Sequence, residues 1–233
     1  MESGFRDLAL NALFPRYCLS CKKEGSLFCE TCENGWVARP ERAACPFCLA
    51  SGSNTVCSLC RQETFLDGVS SYLPYGNPVV RNAISFWKYD GDTSIEPVLK
   101  KWLLQSRDRM CPPFESFVVA HIPVHASRRR SRGFDQSEHL AQWVSQIYQM
   151  PHSRLLERTQ KTTSQAKTIH TDRFVGELDG IFSISPALDE IPECVVLCDD
   201  VFTSGATMDS AAQCLKEFGV KNVWGFVIAK GNS

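Results

Sequence analysis

The sequence predicts an α/β protein whose parallel sheet is flanked by helices and preceded by a small cysteine-rich module. From about residue 65, apolar runs of strand length alternate with segments of helical periodicity, which is typical of a largely parallel sheet. Eight of the twelve cysteines lie between Cys18 and Cys60, all in C-x-x-C pairs. Because 233 residues exceed one typical domain, we expect a helix and cysteine-rich module at 1–64 and an α/β domain at 65–233.

The composition, 43% hydrophobic and 22% charged residues, is that of a globular protein. No apolar stretch approaches the roughly 20 residues of a membrane-spanning helix, so no membrane span is expected. The first 14 residues lack the apolar core of a secretory signal, which predicts a cytoplasmic, reducing location. A net charge of -1 gives no overall attraction to nucleic acid, so DNA contact would depend on a local basic run. That run consists of Arg128, Arg129, Arg130 and Arg132.

Hydrophobic periodicity predicts the elements in order along the chain. Apolar residues from Phe5 to Leu13 recur at helical spacing and indicate a short helix packed against the body of the protein. Strands are predicted at 69–73, 118–124, 195–198 and 223–229, and helices at 140–148 and 208–218. Gly219 is expected to stop the last helix. The polar, threonine-rich stretch 156–182 is expected to be a mobile loop.

The C-x-x-C pairs predict two structural zinc sites. Two residues between thiolates let one tight turn present both sulfur atoms to the same ion, and four thiolates complete a tetrahedral site. Sequential pairing is the simplest assignment, although interleaved pairing, thiol redox chemistry and an iron–sulfur cluster are alternatives. Sequential pairing groups Cys18, Cys21, Cys29 and Cys32 at one site and Cys45, Cys48, Cys57 and Cys60 at the other.

The stretch from Val195 to Thr207 predicts a site for a sugar phosphate. A buried strand leads to Asp199 and Asp200, then to a small turn that contains Gly205 and opens a helix. Backbone N–H groups of such a turn and the positive end of the helix favour a phosphate. Hydroxyl groups add donors, and the two carboxylates accept hydrogen bonds from ribose hydroxyls. The turn consists of Thr203, Ser204, Gly205, Ala206 and Thr207. A strand end with a capping aspartate and no ligand is the alternative.

This string resembles the fingerprint of the phosphoribosyltransferase family, and nearly the whole chain resembles the ComF branch with its double zinc ribbon. The segment from Trp87 to Asp92 is similar to the Lys-Tyr-x-Gly-Asp segment of that branch, and the segment from Arg132 to Ser137 is similar to its Arg-Gly-Phe-Asn-Gln, with Asp135 in place of Asn. The resemblance implies a type I phosphoribosyltransferase-like sheet. It also implies that phosphoribosyl pyrophosphate binds with magnesium, with Asp199 and Asp200 on the ribose.

Two basic residues are candidates for the pyrophosphate. Arg132 follows a predicted strand, and a guanidinium group suits phosphate oxygens. Lys88 is a second candidate contact. A solvated basic turn at Arg132 and a surface lysine at Lys88 are the alternatives.

Two functions fit these residues. The first is a phosphoribosyltransferase that uses phosphoribosyl pyrophosphate, or another 5′-phosphorylated ribose ligand, and transfers the sugar to a nitrogen nucleophile. The second, which the ComF resemblance implies, is a competence factor without turnover that senses a nucleotide or binds single-stranded DNA and meets DNA-uptake proteins.

Overall fold

A computed structural model describes residues 16–35, 43–89, 93–125, 127, 129–130, 133–158, 180–186 and 190–231. The helix predicted in the first 15 residues lies outside the described residues. Most of the predicted 156–182 loop does as well.

The centre of the fold is a four-stranded parallel sheet. Its strands are β1 (Gly68–Pro74), β2 (Val118–His121), β5 (Cys194–Phe202) and β6 (Asn222–Lys230), and their order across the sheet is β1-β6-β5-β2. Two shorter strands, β3 (Leu156–Arg158) and β4 (Phe182–Ile184), form a separate antiparallel pair. Since all four central strands are parallel, their carboxyl ends lie at one edge of the sheet.

Helices cover both faces of this sheet. The described helices are α1 (Glu30–Gly35), α2 (Pro78–Tyr89), α3 (Glu96–Met110), α4 (Gln136–Tyr148) and α5 (Ala206–Glu217). Apolar residues of α2, α3 and α4 form one buried cluster with Phe226 and Ile228 of β6. Residues of α5 form a second cluster with Val223 and Val227 of the same strand. Successive side chains of β6 therefore point to opposite sides and divide the core in two.

The predicted strands and the two predicted helices are confirmed, with shifted ends. Strand β2 ends at His121, earlier than the predicted 124. Pro123, which has no N–H for a ladder, lies two residues further on. Strand β5 is longer than predicted because it continues through the two aspartates to Phe202. Helices α2 and α3 are additions that the sequence interpretation did not specify. Among the described residues, no helix combines the length and apolar character needed to cross a bilayer.

The cysteine-rich segment packs on both halves of the core. Phe28 belongs to the first cluster, where its ring meets Trp102 of α3 edge-on with centroids 5.3 Å apart. Val56 and Leu66 belong to the second cluster, together with Met208 of α5. The cysteine-rich segment therefore packs against the α/β sheet and its helices.

Candidate functional site

The acidic pair lies in the second half of β5, close to the carboxyl edge of the sheet. Asp200 is buried, and its Oδ1 lies 2.8 Å from Nζ of Lys88 on α2. Oδ1 of Asp199 accepts hydrogen bonds from the Ser137 hydroxyl and from the backbone N–H of Asp200, both at 2.8 Å. The predicted site residue Lys88 is thus brought to the acidic pair by α2, and α4 adds Ser137.

The charges in this cluster shift the pKa values of its members. Burial and the neighbouring charge of Asp200 raise the pKa of Asp199 to about 7, against the opposing effect of the Lys88 ammonium. Burial acts to lower the pKa of Lys88, but the attraction of Asp200 outweighs it, so that this pKa is raised. Near neutral pH, Lys88 is therefore a cation, and Asp199 is present in both its protonated and its ionised form.

Asp135 fixes the start of α4, which carries Ser137. Its Oδ1 accepts hydrogen bonds from the backbone N–H groups of Ser137 at 3.1 Å and Glu138 at 3.4 Å, the usual role of a helix N-cap. Its Oδ2 accepts from the backbone N–H of Val124 at 3.3 Å, beyond the end of β2. Asp135 therefore ties the loop after β2 to the helix that holds Asp199. Arg132, the predicted pyrophosphate contact in the same motif, lies outside the described residues.

Sequence reasoning missed Ser137 and Asp135 as site residues. The signal that could have found them is the spacing of Asp135 and Glu138, which is close to an N-terminal capping pattern for a helix. That pattern would have placed Ser137 in the first turn of α4, beside the carboxyl ends of the strands.

Strand β5 ends at Phe202 and α5 begins at Ala206. The predicted turn from Thr203 to Thr207 therefore consists of the connection at 203–205 and the first two residues of α5. Thr203 and Ser204 are exposed, and the backbone N–H of Ala206 donates to Oγ of Ser204 at 3.4 Å. Gly205 has φ of 84°, a left-handed conformation that glycine adopts without strain. A Cβ at this position would lie 2.5 Å from the Phe202 ring and 2.9 Å from the Phe47 ring. A glycine is needed here because two aromatic rings occupy the space that a side chain would fill.

This arrangement offers complementary groups to a sugar phosphate. Carboxylate oxygens of the acidic pair accept hydrogen bonds from hydroxyl groups. The exposed hydroxyl groups of Thr203 and Ser204 and the first N–H groups of α5 can donate to phosphate oxygens. The Lys88 ammonium offsets the negative charge of the neighbouring Asp200 carboxylate.

The eight cysteines of the N-terminal segment form two groups, each able to hold a metal ion. Within each group the four Sγ atoms lie within 4.8 Å of one another, and the grouping is sequential. Sγ of Cys21 lies 3.6 Å from that of Cys29, and Sγ of Cys48 lies 3.6 Å from that of Cys57. A tetrahedral zinc with Zn–S bonds of about 2.3 Å separates its sulfur ligands by about 3.8 Å. Both groups therefore fit zinc ribbons.

The backbone around the first cysteine of each group favours a thiolate. Burial acts to raise the pKa of Cys18, but N–H groups of Cys29, Cys21 and Ser20 donate to its sulfur and lower the pKa to about 6. Cys45 shows the same balance, and its pKa is also lowered to about 6. Since zinc binds the deprotonated sulfur, these hydrogen bonds prepare the ligands.

Three competence proteins are similar to this chain. It is 27% identical over 216 residues to Competence protein ComFC of Streptococcus pneumoniae, and the match covers 91% of each chain. It is 30% identical over 183 residues to Competence protein ComFC of Bacillus subtilis, covering 75% of this chain and 72% of that protein. Competence protein F of Haemophilus influenzae is 30% identical over 115 residues, which cover 48% of this chain and 50% of that protein. No family model matches the chain.

Proposed function

The chain belongs to the ComF family, and on this basis we propose that it binds phosphoribosyl pyrophosphate and takes part in DNA uptake during natural competence. One observation carries the ligand assignment. Asp199 and Asp200 lie on the strand that leads into the turn, which begins two residues after Asp200 at Thr203. Lys88 and Ser137 contact their carboxylates. A 5′-phosphorylated ribose would place its hydroxyls on the acidic pair and its phosphate on the turn.

The basic residues would bind the pyrophosphate group of the ligand. The Lys88 ammonium is next to Asp200, so it can turn towards a phosphate oxygen while it still offsets the carboxylate charge. Arg132, which precedes α4 in the sequence, would supply a guanidinium group. Asp135, three residues later, holds the start of α4, and Ser137 of that helix contacts Asp199.

Magnesium fits the donor set because Asp199 and Asp200 provide carboxylate oxygens, the ligands that this ion accepts together with substrate phosphates. When bound, magnesium would neutralise part of the charge of the pyrophosphate. The protein residues would do the rest. The carboxylates would orient the ribose, and the turn would hold the 5′-phosphate.

The reaction that this arrangement suits is transfer of the phosphoribosyl group to a nitrogen nucleophile. The bond between C1 of the ribose and the pyrophosphate oxygen breaks, and the pyrophosphate leaves with the electron pair. A bond from C1 to the nitrogen forms, and the nitrogen releases a proton. Catalysis then depends on positioning and charge stabilisation of an oxocarbenium-like state rather than on a protein nucleophile.

A second candidate function is binding without turnover. The names of the similar proteins favour a role in handling incoming DNA, and Arg129 and Arg130 are exposed after β2. In this case a nucleotide or the end of a single strand would bind at the acidic pair and the turn, and the basic run would contact the DNA backbone. DNA-uptake proteins would be the partners.

We further propose that both cysteine groups hold structural zinc. Four cysteine ligands leave no open position for a reacting water.

The proposed boundaries remain 1–64 for the N-terminal helix and ribbons and 65–233 for the phosphoribosyltransferase-like domain. Thiolate ligands require a reducing compartment, so a cytoplasmic location is proposed.

Calorimetry with phosphoribosyl pyrophosphate, with and without magnesium, tests the ligand. Release of pyrophosphate across a panel of nucleobases and amines then separates the two functions. Binding with release would identify a transferase, and binding without release would favour the sensor. If the protein binds neither phosphoribosyl pyrophosphate nor ribose 5-phosphate, the proposed ligand site is wrong.

A further inference from the structure

The side chain of Phe47 connects the second cysteine group to the candidate phosphate turn. Phe47 lies between Cys45 and Cys48. Its ring meets the ring of Phe202 edge-on, with centroids 5.7 Å apart and an angle of 74°. Phe202 is the last residue of β5 and directly precedes Thr203. The ribbon therefore touches the strand at the point where the turn begins.

The same ring also lies against the turn itself. A Cβ added to Gly205 would be 2.9 Å from Cε1 of Phe47 and 2.5 Å from Cζ of Phe202. Gly205 is buried, although Thr203 and Ser204 beside it are exposed. The two rings thus form the wall behind an otherwise exposed turn.

A pair of hydrogen bonds ties the segment after the ribbon to the first turns of α5. Oδ1 of Asp209 accepts from the backbone N–H groups of Phe65 at 2.8 Å and Leu66 at 3.1 Å. The N–H of Asp209 donates to the carbonyl of Gly205 at 2.8 Å. Leu66 shares a buried cluster with Cys45 and Cys60. The second ribbon therefore packs against the buried side of the turn, and the segment that follows the ribbon is hydrogen-bonded to the start of α5.

The first cysteine group packs elsewhere. Phe28, one residue before Cys29, meets Trp102 of α3 in the cluster on the other face of the sheet. Each group consists of two C-x-x-C pairs, with seven residues between the pairs in the first group and eight in the second. The contacts described above place the second group against the turn. Loss of metal from the second group should therefore affect the turn, whereas loss of metal from the first group should not.

We propose that Phe47 is a positioning residue for the phosphate turn and that metal binding by the second cysteine group controls the affinity of this turn for phosphate. A metal ion held by the four cysteines would fix residues 45–48 in the conformation that packs Phe47 against Phe202 and Gly205. Without that support, the turn loses the arrangement of its N–H groups. The ligand part of this inference rests on the proposed function, whereas the ordering of the turn by Phe47 does not.

Phe47→Ala is the direct test, and Leu59→Ala is its matched control. Both residues lie between two cysteine ligands of the same group, but Leu59 is 64% exposed. For each variant we would measure the rate of hydrogen–deuterium exchange in the peptide that covers 202–208. The affinity for ribose 5-phosphate is obtained by titration, and the zinc content is determined as well. We expect faster exchange and about tenfold weaker binding for Phe47→Ala. A tenfold change in affinity corresponds to the free energy of about one edge-on aromatic contact. Leu59→Ala should match the unmodified protein, and Phe47→Leu should restore part of the affinity.

Cys48→Ser and Cys21→Ser test the metal dependence. The two cysteines are both exposed and occupy the same position in their groups. Loss of the second ion in Cys48→Ser should speed exchange in 202–208 and weaken ribose 5-phosphate binding, whereas Cys21→Ser should leave both within about twofold.

Unchanged exchange in 202–208 for both Phe47→Ala and Cys48→Ser would overturn the inference, as would equal effects of Cys21→Ser and Cys48→Ser. If the unmodified protein binds no phosphorylated ribose, the proposed function fails. The exchange data would still decide whether Phe47 orders the turn.

Discussion

Nζ of Lys88 lies 2.8 Å from Oδ1 of Asp200, and both side chains are mostly buried. This pair joins α2 to β5 at the carboxyl edge of the sheet. Asp199 beside it adds a second carboxylate that Ser137 contacts. Lys88 is therefore the cation that allows two adjacent acidic residues to share this buried position.

Lys88→Met should destabilise the protein and weaken ligand binding. Removing one partner leaves Asp200 as a buried charge without its cation, which we expect to cost about 3 kcal/mol in the free energy of unfolding. Urea denaturation at pH 8 measures this loss. Lys101→Met is the matched control, since Lys101 pairs with Glu33 at 2.6 Å but is about half exposed, and its loss should cost at most about 1 kcal/mol. Equal costs for the two variants would contradict the assigned role of Lys88.

Asp199→Asn should raise stability, and the gain should grow with pH. In the folded protein the pKa of Asp199 is about 7, against 3.8 for an ordinary aspartate. The unfolded chain therefore ionises first, and the unmodified protein loses stability as the pH rises from about 4 to 7. The variant has no such group, and its amide oxygen can still accept from Ser137.

Urea denaturation of Asp199→Asn at several pH values checks this sign. The advantage over the unmodified protein should be small near pH 4, reach the order of a few kcal/mol, and level off above pH 8. Asp108→Asn, at a residue with a 90% exposed side chain, should show no comparable trend. A difference for Asp199→Asn that does not vary with pH would refute the raised pKa.

Asp200→Asn and Gly205→Val should lose ligand binding in different ways. Asp200→Asn weakens the acceptor for ribose hydroxyls but leaves the turn intact, so some affinity for ribose 5-phosphate should remain. A valine at Gly205 would be strained at φ of 84° and would collide with the rings of Phe202 and Phe47. We expect it to abolish binding of every 5′-phosphorylated ligand. Titration of both variants with phosphoribosyl pyrophosphate and ribose 5-phosphate decides the matter, and unchanged binding in both folded variants would place the site elsewhere.

The purified protein should contain two zinc ions per chain. The two four-cysteine groups motivate this number. Metal analysis that finds iron, or less than about one zinc with intact thiols, would rule it out. Removal of zinc by a chelator should also lower the melting temperature, because metal binding at such sites is part of folding.

Binding of single-stranded DNA should weaken with rising salt and depend on the arginines at 128–130. Each lost phosphate contact should reduce the slope of log affinity against log salt by about 0.7. Since Arg129 lies 3.3 Å from Glu138, part of its charge is already offset. The triple alanine variant is compared with one that lacks Arg107, Arg109 and Lys221, three exposed cations elsewhere. Equal affinities for the two triple variants, or binding that is independent of salt, would exclude the basic run as the DNA contact.

Local patterns in the sequence were enough to predict the parallel sheet, both cysteine groups and the segment from Asp199 to Thr207. Each of these depends on residues that are close along the chain. A C-x-x-C pair brings two thiolates together by itself, and a strand followed by a small turn and a helix needs no distant partner. The shorter β2 could also have been anticipated from Pro123.

Only the tertiary structure decided which distant side chains complete the site. Lys88, Ser137 and Phe47 come from α2, α4 and the second ribbon. Sequence spacing could indicate that Ser137 lies at the start of α4, but not which distant side chain each of the three contacts. These contacts arise because the strand order β1-β6-β5-β2 and the packing of helices on each face bring separate segments to one edge of the sheet. Side-chain contacts of this kind depend on packing, which has no local sequence signature.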